Sequence, residues 1–256
     1  MNFPAELSQG DVHLWVPPAE PACIQRMCAD GIALLSIEER QHLTSLENRQ
    51  NADRFLLGRV LMRRVLARYL GEEPAALTLR HSANGKPELV DRPNTPLSFN
   101  LSHSAADVVL AVARESAIGV DIEDKGRAHA AHRIARRFFS GDEINGLEAL
   151  GADAAQRALQ LWSLKESIVK ANGETVWDGL SKTTLAIDGR RIEWTASRNG
   201  NNATWHLAGG TFRGTYFLAV AVRSMDAKPN KTLAFRTYRL GSEANELPRF
   251  EPEIST

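Results

Sequence analysis

Two short acidic segments hold the residues best suited to chemistry. In Ile118-Gly-Val-Asp-Ile-Glu123, apolar Ile118, Val120 and Ile122 alternate with Gly119, Asp121 and Glu123. That is the period of a half-buried strand, so Asp121 and Glu123 share a face and can reach one ion. In Trp162-Ser-Leu-Lys-Glu-Ser-Ile-Val-Lys170, Glu166 and Lys170 stand at i and i+4 of a helical pattern, so a third carboxylate and an ammonium share one helix face. Three carboxylates from two rigid elements describe a hard-cation site with open positions, the way Mg²⁺ is held when substrate phosphates complete its shell. Read alone, Glu166 and Lys170 also fit an ordinary helix ion pair.

A third segment, Phe99-Asn-Leu-Ser-His-Ser104, puts Phe99 and Leu101 on one strand face, Asn100 and Ser102 on the other, and His103 at the strand end. Adjacent strand residues point to opposite faces, so Ser102 and His103 are poorly placed as nucleophile and base, and the chain has no Gly-x-Ser-x-Gly elbow. A hydroxyl and an imidazole at this place suit phosphate contact, or a strand end capping its own backbone. Lys86 lies in Gly85-Lys86-Pro87, a turn with no Walker-loop spacing, where a solvated lysine is the plain alternative. Together, a Mg²⁺ trio, two lysines, a serine and a histidine are the parts needed to bind and polarise a pyrophosphate.

The elements that must position these groups are legible from periodicity. A strand is expected at Val12–Val16, and a long helix from Asp53 to Leu70, where Phe55, Leu56, Val60, Leu61, Val65, Leu66 and Tyr69 form an apolar stripe and Gly71 with Pro74 marks the stop. The other face carries Arg54, Arg59, Arg63, Arg64 and Arg68, the composition of a solvated face. Asn84-Gly85 signals a tight turn. Leu97–Ser102 and Val108–Ala113 read as a hairpin with Ile118–Glu123 beyond it. Helices follow near 130–138, 140–150 and 154–172, and strands at Thr183–Ile187, Arg191–Thr195, Thr204–Leu207 and Tyr216–Val222. Leu110-Ala-Val-Ala113 recurs as Leu218-Ala-Val-Ala221, each after a long helix and short strands, which suggests a duplicated unit. The expected fold is α+β, two pseudo-symmetric halves, each a small mainly antiparallel sheet packed with helices, with the site in the cleft between them. The halves are drawn at residues 1–117 and 118–224. Residues 225–256 lose periodicity and read as a tail, with a short strand near Thr232–Tyr238.

Lysine plus arginine equals aspartate plus glutamate, 31 each in 256 residues, so no global field argues for nucleic acid or an anionic membrane. With no basic leader and no run approaching the roughly 18 apolar residues of a membrane span, the expectation is a cytoplasmic protein. Cys23 and Cys28 have no second pair with which to build a zinc site and read as free thiols.

In order and spacing, Asp53-Arg-Phe-Leu-Leu-Gly-Arg-Val-Leu61, Gly85-Lys-Pro87, Phe99–Ser104, Ile118–Glu123, Arg137-Phe-Phe-Ser140 and Trp162–Lys170 resemble the 4′-phosphopantetheinyl transferases, in particular the large Sfp-type branch, a monomer of two pseudo-equivalent halves. The resemblance spans roughly residues 10–223. It implies transfer of the 4′-phosphopantetheine arm of coenzyme A to a serine of an apo carrier protein. Asp121, Glu123 and Glu166 would hold Mg²⁺; Lys86, Ser102 and Lys170 would contact the phosphates; Arg54 and His103 would face the 3′-phosphate. Glu166 would be the base, and Lys170 would neutralise or protonate the leaving phosphate. The carrier would dock near Arg133, Arg136, Arg137 and Phe138. One departure is Glu38-Glu-Arg-Gln-His42, where family members carry lysines; it bears on coenzyme A affinity rather than on the reaction. The same parts would serve a Mg²⁺-dependent nucleotide pyrophosphatase or phosphodiesterase, or a module that only binds coenzyme A or a carrier.

Overall fold

The chain is described by a computed structural model that covers residues 6–82, 84–90, 95–105, 107–197, 204–224, 233–240 and 245–256. In order the first half holds β1 (Asp11–Val16), α1 (Pro21–Gly31), α2 (Ile37–Ser45), α3 (Arg49–Leu70), β2 (Leu79–His81), β3 (Pro87–Leu89), β4 (Leu97–Ser104) and β5 (Asp107–Arg114). The second half holds β6 (Ser116–Asp124), α4 (Ala128–Phe138), α5 (Gly141–Ala149), α6 (Ala154–Asn172), α7 (Val176–Gly179), β7 (Thr183–Asp188), β8 (Arg191–Ser197), β9 (Thr204–Phe212) and β10 (Tyr216–Ser224). Three more strands follow: β11 (Ala234–Arg239), β12 (Asn245–Leu247) and β13 (Ile254–Ser255).

These strands make a five-stranded sheet, β12-β11-β1-β5-β4, and a six-stranded sheet, β6-β10-β9-β13-β8-β7, with β2 and β3 a separate hairpin. Alternation along the strands places four layers. Leu110 and Val112 face α3, while Val109 and Ala111 face the second sheet; Phe217, Ala219 and Ala221 face α6, while Leu218 and Val220 face the first sheet. The two sheets therefore pack against each other, with helices on the outer faces. The recurring Leu-Ala-Val-Ala segments are not equivalent, because Leu110 points to its helix and Leu218 away from its own. The match reflects shared strand composition with the two faces exchanged.

Helix α3 begins at Asn48, whose side chain accepts from the Asn51 amide, and ends at Gly71 in the left-handed conformation, φ 67°. Its arginine face departs from expectation: Arg59 and Arg63 are only 3% and 1% exposed. Helix α2 covers them and Glu39 supplies the counter-charge, accepting from Arg63 Nε at 2.9 Å and Nη2 at 2.7 Å, with Arg59 Nη1 at 3.5 Å. Glu39 also closes a capping box with Ser36. Breaking such a buried pair costs about 3–5 kcal/mol, so the acid at 39 is structural.

The segment after Ser224 is not peripheral. β11 pairs in parallel with β1, β12 extends that sheet, and β13 lies between β9 and β8 of the other. Phe235 and Phe250, rings 5.3 Å apart, belong to the core between the sheets. β11 overlaps the strand expected near Thr232–Tyr238, while β12 and β13 are too short and too polar for period 2 to show. Thr232 of the expected strand, with 225–231 and 241–244, lies outside the described residues.

Candidate active site

The acidic strand and the acidic helix meet because position 119 is glycine. A Cβ there would stand 1.9 Å from the Ser167 carbonyl oxygen and 2.5 Å from the Ala171 nitrogen, so β6 lies directly on the backbone of α6. On its far side α6 is anchored by Lys165, whose Nζ is 2.8 Å from Glu143 Oε2 of α5, both side chains buried. Glu143 Oε1 also accepts from the Leu185 amide at 3.0 Å. This pair fixes the rotation of the helix and turns Glu166 and Lys170 toward β6.

The edge strands of the two sheets, β4 and β6, are sewn together by side chains. Asn100 Oδ1 accepts from the Val120 amide at 2.9 Å, Ser102 Oγ from Ile122 at 3.3 Å, and Ser104 Oγ from Asp124 at 3.1 Å. Three alternate side chains thus complete three alternate amides, and the middle one delivers Ser102 into the acid cluster, where its hydroxyl lies 3.2 Å from Asp121 Oδ1. Asn100 and Ser104 were not among the expected site residues, although their spacing with Ser102 places all three on one face.

Lys170 Nζ lies 2.6 Å from Asp121 Oδ1, 3.2 Å from Glu166 Oε2 and 3.2 Å from Ser102 Oγ. Glu123 pairs with Arg127 at 3.1 Å. Burial, and then the charge of Asp121, push both the Glu166 and Glu123 carboxyls up to about 7. Burial works against the Lys170 ammonium, but Asp121 and Glu166 outweigh it and hold it charged above its usual range. With Lys170 between two of the acids, no three His, Cys, Asp or Glu among the described residues are arranged to grip an ion as they stand. The donor set still fits a hard cation: three carboxylates face two cations, and Asp121 Oδ2, buried, has no hydrogen-bond partner among the described residues.

Next to this cluster is a cleft of about 410 Å³, lined by His42, Arg54, Arg59, His81 and His103 together with Phe55, Gly85 and Pro87, and, among the described residues, by no carboxylate. Arg54 is half-buried and hydrogen-bonded to Asn51. Burial, then the nearby Arg54, lower the pKa of His103. His42 packs edge-on against Phe55, ring centroids 4.8 Å apart. Arg59 and His81, in contact with each other, were not expected here; nothing in the sequence distinguishes Arg59 from the other arginines of that helix face. Lys86 does not open onto the cluster: its Nζ donates to the Lys170 carbonyl at 2.9 Å and to that of Ile118 at 3.4 Å. The site thus brings together Asp121, Glu123, Glu166, Lys170 and Ser102, with His103 and Arg54 in the adjoining cleft.

On the outer face of α4, Arg133 and Arg137 are exposed and Arg136 pairs with Glu148 at 3.0 Å. The Phe138 ring lies between Trp162, centroids 5.7 Å apart, and Trp177, 5.4 Å apart, and Trp177 is 75% exposed. Among the described residues no helix is long and apolar enough to cross a membrane.

Residues 117–221 match the sequence pattern of the 4′-phosphopantetheinyl transferase superfamily, and residues 23–115 that of the 4′-phosphopantetheinyl transferase N-terminal region. The 4′-phosphopantetheinyl transferase HetI of Nostoc sp. is 33% identical over 179 residues, 69% of this chain and 73% of that protein. The 4′-phosphopantetheinyl transferase psf-1 of Bacillus pumilus is 34% identical over 173 residues, 63% of this chain and 72% of that protein. A relative from Synechocystis sp. is 36% identical over 151 residues, 59% of this chain, and the match spans 61% of its length, less than two thirds. A holo-(acyl-carrier-protein) synthase of Bacillus anthracis str. Ames, solved in complex with CoA (3′,5′-ADP), superposes with a TM-score of 0.37 at 20% identity, over 42% of this chain and 96% of that one, too distant to bear on the argument.

Proposed function

We propose that this chain, which belongs to the 4′-phosphopantetheinyl transferase superfamily, moves the 4′-phosphopantetheine arm of coenzyme A to a serine hydroxyl of an apo carrier protein in a Mg²⁺-dependent reaction. The observation that carries the reading is the meeting of two opposite sites at consecutive residues. Ser102 enters the carboxylate cluster and His103 lines the basic cleft. A molecule with a pyrophosphate and, a few bonds away, a further phosphate spans both.

In this reading Arg54 and His103 hold the 3′-phosphate, and Ser102 and Lys170 bind the pyrophosphate. Asp121, Glu123 and Glu166 would hold the cation, which supplies charge neutralisation on the pyrophosphate when bound. Glu166, beside Lys170 and Asp121, would take the proton of the carrier serine directly or through a water. The serine oxygen forms the new bond to the β-phosphorus as the bridging P–O bond breaks. Adenosine 3′,5′-bisphosphate then leaves with the extra charge beside the Lys170 ammonium, which neutralises or protonates it. The carrier approaches over Phe138 and Trp177, with Arg133 and Arg137 at the rim.

The test is intact-mass measurement of apo carrier proteins incubated with the chain, coenzyme A and Mg²⁺. The expected outcome is a gain of one phosphopantetheine per carrier, lost with chelator and restored by Mg²⁺. Consumption of coenzyme A at the same rate without a carrier would instead identify a pyrophosphatase.

A further inference from the structure

The tip of the β2–β3 hairpin reaches out of the first half and takes hold of the two elements that furnish the acid cluster. Lys86 Nζ donates to the Lys170 carbonyl of α6 at 2.9 Å and the Ile118 carbonyl of β6 at 3.4 Å. Asn84 Nδ2 donates to the Gly173 carbonyl, just past the end of α6, at 2.6 Å. The last carbonyls of a helix lack intrahelical partners, and that end carries partial negative charge, so an ammonium and an amide are the donors it accepts. The Lys170 carbonyl receives the Gly173 amide as well, at 3.2 Å. One ammonium therefore ties α6 to β6 beside the close approach at Gly119, and it grips the backbone of the residue whose side chain touches Asp121, Glu166 and Ser102.

The tip is itself braced. Ser82 and Lys86 exchange contacts across the turn, Ser82 N to Lys86 O at 2.8 Å and Lys86 N to Ser82 Oγ at 3.1 Å. His81 Nδ1 donates to the Gly85 carbonyl at 2.8 Å, which leaves Nε2 to face Arg59 of α3. A continuous path runs from α3 through His81 and Gly85 to Asn84 and Lys86, and from there to α6.

We propose that Lys86 and Asn84 are positioning residues for the transfer reaction. They set Glu166 and Lys170 against Asp121 and Glu123 by holding the carboxyl end of α6 and the start of β6, and Lys86 acts through those two carbonyls rather than by touching a substrate phosphate. The proposal rests on the transferase reading for its kinetic consequence but not for its structural one.

The experiment compares wild type, Lys86→Met and Asn84→Ala by hydrogen exchange of the substrate-free protein and by steady-state kinetics. In both variants the amides of Gly173 and Glu174, which close the end of α6, should exchange about tenfold faster, while the kcat of transfer falls ~10- to 100-fold and KM for coenzyme A stays within about threefold. Because Asn84 is exposed in a turn, its variant keeps the fold and isolates the effect. Unchanged exchange in both variants, or a Lys86→Met protein whose KM for coenzyme A rises tenfold at constant kcat, overturns the proposal. A wild type that modifies no carrier defeats the transferase reading alone, since the exchange result still decides whether the hairpin holds α6.

Discussion

Asp121 governs the charge of its neighbourhood. It is 2% exposed, adds to burial in raising the pKa values of Glu123 and Glu166, and carries one oxygen without a hydrogen-bond partner among the described residues. Asp121, Glu123 and Glu166 outnumber Lys170 and Arg127, so Asp121→Asn brings the local charge into balance. We expect this variant to lose transfer while its Tm is equal to or above that of wild type, measured by thermal unfolding without metal, as when a site strained for function is relaxed. His13 makes a separate prediction in the first core. Its Nδ1 lies 2.7 Å from Tyr69 Oη, and that hydroxyl accepts from Trp15 Nε1 at 2.9 Å. The imidazole is neutral, because burial lowers its pKa from 6.5 to about 4. A depressed histidine contributes stability that is complete above pH 6.5 and is lost as pH falls from there through 4. The full loss is about 3 kcal/mol for a shift of this size. Urea unfolding at pH 7 and pH 4.5 should show a smaller pH dependence in His13→Leu than in wild type, and equal dependence would mean that His13 titrates normally.

At the scale of elements, the contact between β6 and α6 is the tightest constraint on the site. Gly119→Ala puts a methyl into backbone that cannot retreat, because α6 is pinned from behind by Lys165 and Glu143. The strand or the helix must shift, at a cost of about 1–3 kcal/mol for overpacking. Transfer should fall at least ~100-fold, since a displacement of about 1 Å at a reacting group has that effect; normal turnover with an unchanged Tm would show that the two elements have slack. The elements themselves were largely legible in the sequence. The stripe of α3, its Gly71 stop, the 154–172 helix and the alternation through Asp121 all carry periods long enough to read. Asp121, Glu123, Glu166 and Lys170 were legible as a group because each sits on such a period. Arg59 and Arg63 were misread because a counter-charge 20 or more residues away, Glu39, decides their burial. The seam of Asn100, Ser102 and Ser104 has a clear spacing, but the amides it satisfies belong to another strand and leave no mark on the local sequence.

For the whole molecule, the final residues bear on both sheets at once. A chain truncated after Ser224 lacks β11 beside β1 and β13 between β9 and β8. We expect it to bind a hydrophobic dye and to lose a single cooperative unfolding transition, and a truncated protein with wild-type Tm would show that these strands are dispensable. The position of β1 has a further consequence in time. It is made first, yet its partner on one side is β11, about 200 residues later. At roughly 5–20 residues per second on a ribosome, one edge of β1 waits on the order of 10–40 s for its neighbour. The sheet of the first half is therefore incomplete until β11 has been made, and the edge of β1 that β11 later covers is an unpaired strand edge for that interval.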